Sequence, residues 1–239
     1  MKSLIRWLAV AIFVLGLLFL GATAAAVLGL RSVPPPTTAF MWKSRSADPA
    51  TGLPCETLEY QWVDAERIAP ELALAVVVAE DQRFFQHRGF DFQSMEKALD
   101  DAAETGRVRG ASTLTQQVAK NLFLWPGQSL ARKVIEVWPT LWIEALWSKD
   151  RILETYLNVA QFGPCVFGAE AASQRYFEVP ASDLAPEQAA LLATVLPNPK
   201  QLRAWNPGPY AQKRTEEVLA LMLQHRNLTQ LGRKAGARN

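Results

Sequence analysis

The sequence predicts a mainly α protein, one N-terminal transmembrane helix followed by a helical domain, and three observations lead there. Residues 7–30 contain no charged residue. Helix-capping residues and prolines recur at the starts of helix-like segments, and no run of useful length alternates polar and apolar residues as a half-buried strand does. With 239 residues, 49% hydrophobic and 20% charged, the chain can bury a core of one ordinary domain. A net charge of +2 lacks the basic footprint of a nucleic-acid binder.

Residues 7–30, if helical, span about 36 Å, enough to cross a roughly 30 Å hydrocarbon layer. Lys2 and Arg6 precede them and place the amino terminus in the cytoplasm by the positive-inside rule, although Arg31 weakens the asymmetry. A cleaved signal peptide is the rival, because Ala24-Ala25-Ala26 offers small residues, but the apolar run exceeds the roughly 7–15 residues of such a region. Residues 1–31 are therefore read as a cytoplasmic tip and anchor. Val33-Pro34-Pro35-Pro36 favours a stiff, extended spacer that separates anchor from domain, so residues 32–59 are linker and domain entry and residues 60–239 the domain.

Within the domain, Pro70 suits a first helical position, the apolar residues 72–79 run into Glu80, and Gly89 is the expected stop. Asp91 caps a helix to about Thr105, and residues 106–110 read as a flexible loop. Ser112 or Thr113 caps the next helix. Ser129 caps a long one over residues 130–147, where Pro139 removes a backbone donor and crowds residue 135. Another begins near Lys149, residues 163–168 read as a loop, an alanine-rich helix follows, Pro186 opens the next, and the last covers about 209–226.

Cys55 and Cys165 lie in the part expected to face an oxidising compartment, where a disulfide is allowed, but their spacing specifies no framework; two unpaired thiols are the expectation. With only His87 and His225 and no close Cys/His spacing, no zinc site is expected.

Glu80 ends an apolar stretch ahead of Phe84 and Phe85, so its carboxylate is either a desolvated general base or an ordinary surface glutamate beside Asp81. Thr113, Gln116 or Gln117, and Lys120 recur at helical spacing from a helix start, where free N–H groups, the dipole and an ammonium favour an anion such as a diphosphate; a plain capped, solvated helix is the alternative. Arg132, Lys133 and Glu136 share a face, either as an intrahelical ion pair or as a phosphate grip with an acid. Ser94-Met95-Glu96-Lys97 matches a Ser-x-x-Lys pattern without its partner motifs and reads as coincidence. Residues 122–125 form an apolar patch that either dips into a membrane or joins the core. Trp138, Trp142 and Trp147 read as packing residues.

Four motifs stand in order: Glu80-Asp81-Gln82-Arg83-Phe84-Phe85-Gln86-His87-Arg88-Gly89, Gly110-Ala111-Ser112-Thr113-Leu114-Thr115-Gln116-Gln117-Val118-Ala119-Lys120-Asn121, Arg132-Lys133-Val134-Ile135-Glu136, and Lys149-Asp150-Arg151-Ile152-Leu153-Glu154-Thr155-Tyr156-Leu157-Asn158. Over roughly residues 60–205 the chain resembles the peptidoglycan glycosyltransferases of glycosyltransferase family 51, most of all the monofunctional, membrane-anchored members. The resemblance implies a lysozyme-like, two-lobed helical domain on the periplasmic side of a bacterial inner membrane, polymerising lipid II into glycan strands with inversion and release of undecaprenyl diphosphate. It implies Glu80 and Glu136 as catalytic acids, and Ser112, Thr113, Gln117, Lys120, Asn121, Arg132 and Lys133 as substrate-binding residues. Glu154 and Asn158 are expected to brace the cleft, and His87 and Gly89 to shape the turn after Glu80. No organic cofactor is implied; a divalent cation, magnesium or manganese, is expected only with the substrate diphosphate. Lipid II, the growing glycan, the membrane and cell-wall or division proteins are the implied partners. A glycan-cleaving enzyme and a noncatalytic cell-wall scaffold remain the alternatives. The chain reads Pro197-Asn198-Pro199-Lys200 where many bifunctional relatives carry a basic residue near Pro197, which leaves the role of Lys200 open.

Overall fold

A computed structural model describes residues 2–106, 112–127 and 129–225, and they are mainly helical. The predicted loop at 106–110 and the final residue of the predicted last helix lie, apart from Gly106, outside the described residues.

Helix α1 (Lys2–Leu30) is apolar on all sides, as a helix meant for lipid is, and Leu4–Leu30 has a mean hydropathy of 2.5. Its far end does not stand off from the domain. The last carbonyls of a helix lack intrahelical partners, and here the domain supplies donors: Trp147 Nε1 to Val27 O at 2.8 Å and Arg151 Nη2 to Leu30 O at 2.9 Å. Trp138 Nε1 adds a bond to Leu20 O at 3.2 Å. Arg151 also places its charge at the negative end of the α1 dipole. The Pro-rich stretch is correspondingly not a free spacer: Arg151 Nη2 reaches Val33 O at 3.0 Å and Tyr60 donates to Pro35 O at 2.7 Å.

Helix α2 (Ala39–Ser44), capped by Thr38, follows directly and buries Met41. Beyond it, Asp48 collects the entry segment: one oxygen accepts Ala50 N, the other Gln161 Nε2 at 2.8 Å and Cys165 N at 3.2 Å. Cys55 and Cys165 are disulfide-bonded, with Cα atoms 5.8 Å apart across 110 residues, which corrects the expectation of two thiols. The pairing follows from a small sheet in the order β1-β3-β2. Strand β1 (Glu59–Tyr60) runs parallel to β3 (Val166–Phe167), and β2 (Gln161–Gly163) pairs antiparallel with β3. Residues 163–168, expected as a loop, are mostly a tight hairpin in which Cys165 adopts φ 60°.

Helix α3 (Pro70–Glu80) carries the expected N-terminal proline and is buried along much of its length, packing on α9 (Pro186–Val195) and α10 (Pro209–Gln224). It stops at Glu80 rather than near Gly89, because Asp81 leaves helical geometry. Gly89, at φ 79°, makes a turn against Thr140 and Glu144; an added Cβ there would meet Thr140 Cγ2 at 3.3 Å. Helix α4 (Phe92–Thr105), capped by Asp91 and ended by left-handed Gly106, buries no residue. Ser94 serves that cap, its hydroxyl 2.6 Å from Asp91 Oδ2.

A second packed group places α5 (Leu114–Phe123) between α6 (Leu130–Leu146) and α7 (Lys149–Val159). Leu122 and Leu124 are core residues, leaving only Trp125 of the apolar patch well exposed. Trp138 and Trp142 pack edge to face at 5.7 Å. Helix α8 (Ala169–Phe177) lies against the sheet. Asn158 holds Val63 through both N–H and C=O at 2.9 Å, and Glu154 accepts Ala65 N, so the fourth motif clamps the segment that enters α3.

Candidate active site

Glu80 is the last residue of α3, and its side chain turns to α5, where Gln117 Nε2 donates to Oε2 at 2.8 Å. The same amide accepts from the buried Tyr156 hydroxyl at 3.1 Å. A hydroxyl that donates to the amide oxygen leaves only the NH₂ end for Glu80, so Gln117 has one orientation. Burial pushes the Glu80 carboxyl up; the Gln117 bond and the charges of Lys120 and Arg214 partly hold it down. Burial, and then the charge of Glu80, keeps Tyr156 protonated by raising its pKa well above the ordinary value. Oε1 of Glu80 has no hydrogen-bond partner among the described residues, which is the condition of a base waiting for a proton.

Lys120 stands one turn beyond Gln117 on α5, within electrostatic reach of Glu80 on one side and of Arg132, Lys133 and Glu136 on the other. Its pKa is lowered, chiefly by burial. On α6, Glu136 is only 2% exposed and holds two cations, Arg132 Nη1 at 2.7 Å and Lys133 Nζ at 2.5 Å. The ion-pair reading of this trio is realised, within one helix and around a buried carboxylate. Burying one carboxylate under two cations leaves excess positive charge beside it. Lys133 also reaches Ser112 Oγ at 3.1 Å, and Arg132 Nε is buried without a hydrogen-bond partner among the described residues.

At the start of α5 backbone N–H groups already have protein acceptors. Asp81 Oδ2 already accepts Leu114 N at 3.0 Å, and His87 Nε2 holds Asp81 Oδ1 at 2.9 Å. Thr113 is buried in a capping box with Gln116 and donates its hydroxyl to Gly89 O at 2.6 Å. A protein carboxylate fills the place a diphosphate was expected to take, and Thr113 stitches the two motifs together. Asn121 is buried on the same helix. Of the sequence-named residues, the structure therefore brings Glu80, Gln117, Lys120, Ser112, Arg132, Lys133 and Glu136 into one cluster, while Thr113 is engaged in its capping box and Asn121 is buried.

Asp81, Tyr156 and Arg214 were not singled out as site residues. Asp81 stands beside the named acid and Tyr156 in a named motif, but their partners are 33 and 39 residues away in sequence. Lys200 is exposed and makes no hydrogen bond or ion pair with the cluster among the described residues. A resident divalent cation does not fit: both Glu136 oxygens are taken by cations, and the one group with ligand-like spacing among the described residues, Asp48 with Cys55 and Cys165, has its sulfurs in a disulfide.

Comparison with known proteins agrees on one family. The transglycosylase family profile matches residues 50–223. A protein of Xanthomonas campestris pv. campestris named biosynthetic peptidoglycan transglycosylase is 48% identical over 211 residues, 88% of this chain and 84% of its own. One of the same name from Pasteurella multocida is 47% identical over 216 residues, covering 90% and 88%. A third, from Xylella fastidiosa, is 52% identical over 161 residues, covering 67% and 66%.

Proposed function

We propose the chemistry that follows from one fact, that this chain belongs to the transglycosylase family. It is a peptidoglycan glycosyltransferase and builds glycan chains. The finer reading is that donor and acceptor are lipid-linked, the donor a growing strand on undecaprenyl diphosphate and the acceptor lipid II. Glu80 takes the proton of the acceptor sugar's 4-hydroxyl through its open Oε1. The hydroxyl oxygen then bonds to the donor's anomeric carbon, the bond from that carbon to phosphate breaks, and configuration inverts.

Undecaprenyl diphosphate leaves toward Lys120, Arg132 and Lys133. Glu136 fixes the two α6 cations, and any divalent ion arrives on the diphosphate. The observation that carries this reading is the placing of a desolvated carboxylate and three cations around one stretch of α5. A glycan-cleaving enzyme has no use for the cations, because cleavage between sugars releases no diphosphate.

The membrane geometry supports the same reading. Helix α6, docked on α1, exposes Leu130, Val134, Val137 and Leu141 at spacings of four, three and four, a single apolar stripe beside an anchor long enough to span a bilayer. That stripe belongs in the outer leaflet of the inner membrane, with the catalytic domain on the periplasmic side. The test is incubation of the purified protein with labelled lipid II in detergent. Glycan polymer and released undecaprenyl diphosphate are expected, both lost in Glu80→Gln. Cleavage of preformed glycan, or no reaction, would overturn the assignment.

A further inference from the structure

Arg132 and Lys133 are both bound to Glu136, whereas the Lys120 ammonium makes no hydrogen bond or ion pair among the described residues. It has an aromatic face instead: Nζ lies 5.4 Å from the centroid of the Phe40 ring. Phe40 comes from α2, outside the 50–223 stretch that matches the family profile. Its position is nonetheless fixed. Thr38 caps α2, Met41 is 1% exposed in the core, and Cys55, joined to Cys165, donates its backbone N–H to Ser44 O at 2.9 Å.

We propose that Phe40 is a positioning residue for glycosyl transfer: its ring holds the Lys120 ammonium in place for the donor's diphosphate, making the juxtamembrane helix part of the anion site. The inference rests on the assignment of Lys120 to the diphosphate. A carboxylate in the position of Phe40 would hold Lys120 equally well, but it would neutralise the charge and occupy a donor. An aromatic face attracts the cation through its quadrupole without committing an N–H group to an oxygen or nitrogen acceptor, so the ammonium keeps donors for phosphate oxygens. The arrangement also makes an element next to the membrane anchor contribute directly to recognition of the lipid-linked group.

The test compares kcat/KM for lipid II in the full-length protein, in detergent, for Phe40→Leu and Phe40→Tyr, each also in a Lys120→Ala background. Leucine keeps an apolar side chain without the quadrupole and is expected to lower kcat/KM by about 2- to 30-fold, while tyrosine keeps the wild-type value. In the Lys120→Ala background the leucine change is expected to have no further effect, the signature of coupling between the two side chains. Pentafluorophenylalanine at position 40 keeps the shape of the ring and reverses its quadrupole, so it gives the same answer if the leucine variant does not fold. Loss from leucine that is the same with and without Lys120, or wild-type activity in both ring-altered proteins, overturns the role of Phe40 alone. Normal activity of Lys120→Ala overturns the assignment of Lys120 itself, and the inference with it.

Discussion

Replacing Gln117 by methionine tests Glu80 as the base through the sign of a pH shift. The Gln117 amide is the first of the influences that hold the Glu80 pKa down against burial, and it acts by donating to the charged form at 2.8 Å. A hydrogen bond to an ionised group is worth about 1.5–3 kcal/mol. Its loss disfavours the ionised carboxyl and so raises the Glu80 pKa further. A general base works only when ionised, so the acidic limb of kcat/KM against pH should move to higher pH, with the rate on that limb falling by roughly 10- to 150-fold at a given pH and activity recovering on the alkaline side. The assay is lipid II polymerisation across pH, with folding checked at each point. Methionine also strands the buried Tyr156 hydroxyl at a cost of about 1–3 kcal/mol, which Tyr156→Phe in the same protein should largely restore. An acidic limb that stays put, or moves to lower pH, in a folded variant would refute Glu80 as the base.

Glu80→Gln should lower polymerisation by about 10²–10⁴-fold. It should also raise thermal stability near neutral pH: the folded carboxyl has a raised pKa, so wild type loses stability as pH climbs past the unfolded value of about 4.3, and a glutamine does not. A melting-temperature gain that fails to widen between about pH 4 and 8 would contradict the burial argument. Reduction of Cys55–Cys165, or serine at both positions, should lower the unfolding free energy by as much as about 4–5 kcal/mol on a chain-entropy view of a loop spanning 110 residues and so move the denaturant midpoint down; an unchanged midpoint would exclude a stabilising role. Deleting residues 1–30 should lower the melting temperature in detergent, because Trp138, Trp147 and Arg151 lose their carbonyl acceptors on α1; equal melting would show that this docking adds nothing.

The helices were legible because their signals are local. Asp91, Thr113 and Ser129 cap where expected, each accepting from a backbone N–H three residues on, and Pro70 and Pro186 open helices as their missing donors allow. The sheet was hidden because strands of two or three residues are too short to show alternation, and because β1 and β3 pair across more than a hundred residues. The disulfide was hidden with it: the backbone bond from Glu59 N to Cys165 O fixes the register that brings the two cysteines together, and no spacing rule encodes that. The anchor read as a detached helix because its composition marks its preference for lipid, while the unpaired carbonyls at its end, which need donors, look the same in any sequence.

The start of α5 shows how a protein group can take up an N–H that a local signal offers to a ligand. Free N–H groups at the start of α5 attract a negative group, and a negative group is there, but it is Asp81 of the protein, braced by His87. This occupation has a consequence for the site. With the Leu114 N–H at its amino end taken by a carboxylate, α5 offers an anion mainly its side chains, and of these Lys120 carries the full charge. Electrostatic help must then come from α6, where Glu136 is buried deeply enough to keep Arg132 and Lys133 beside it yet supplies only one negative charge for two positive ones. Clamping the turn after Glu80 to the helix that carries Gln117 and Lys120 also fixes the separation of Glu80 from Lys120, the base and the phosphate contact of the proposed reaction. Asp81 and His87 hold that separation through their bonds to each other and to the start of α5.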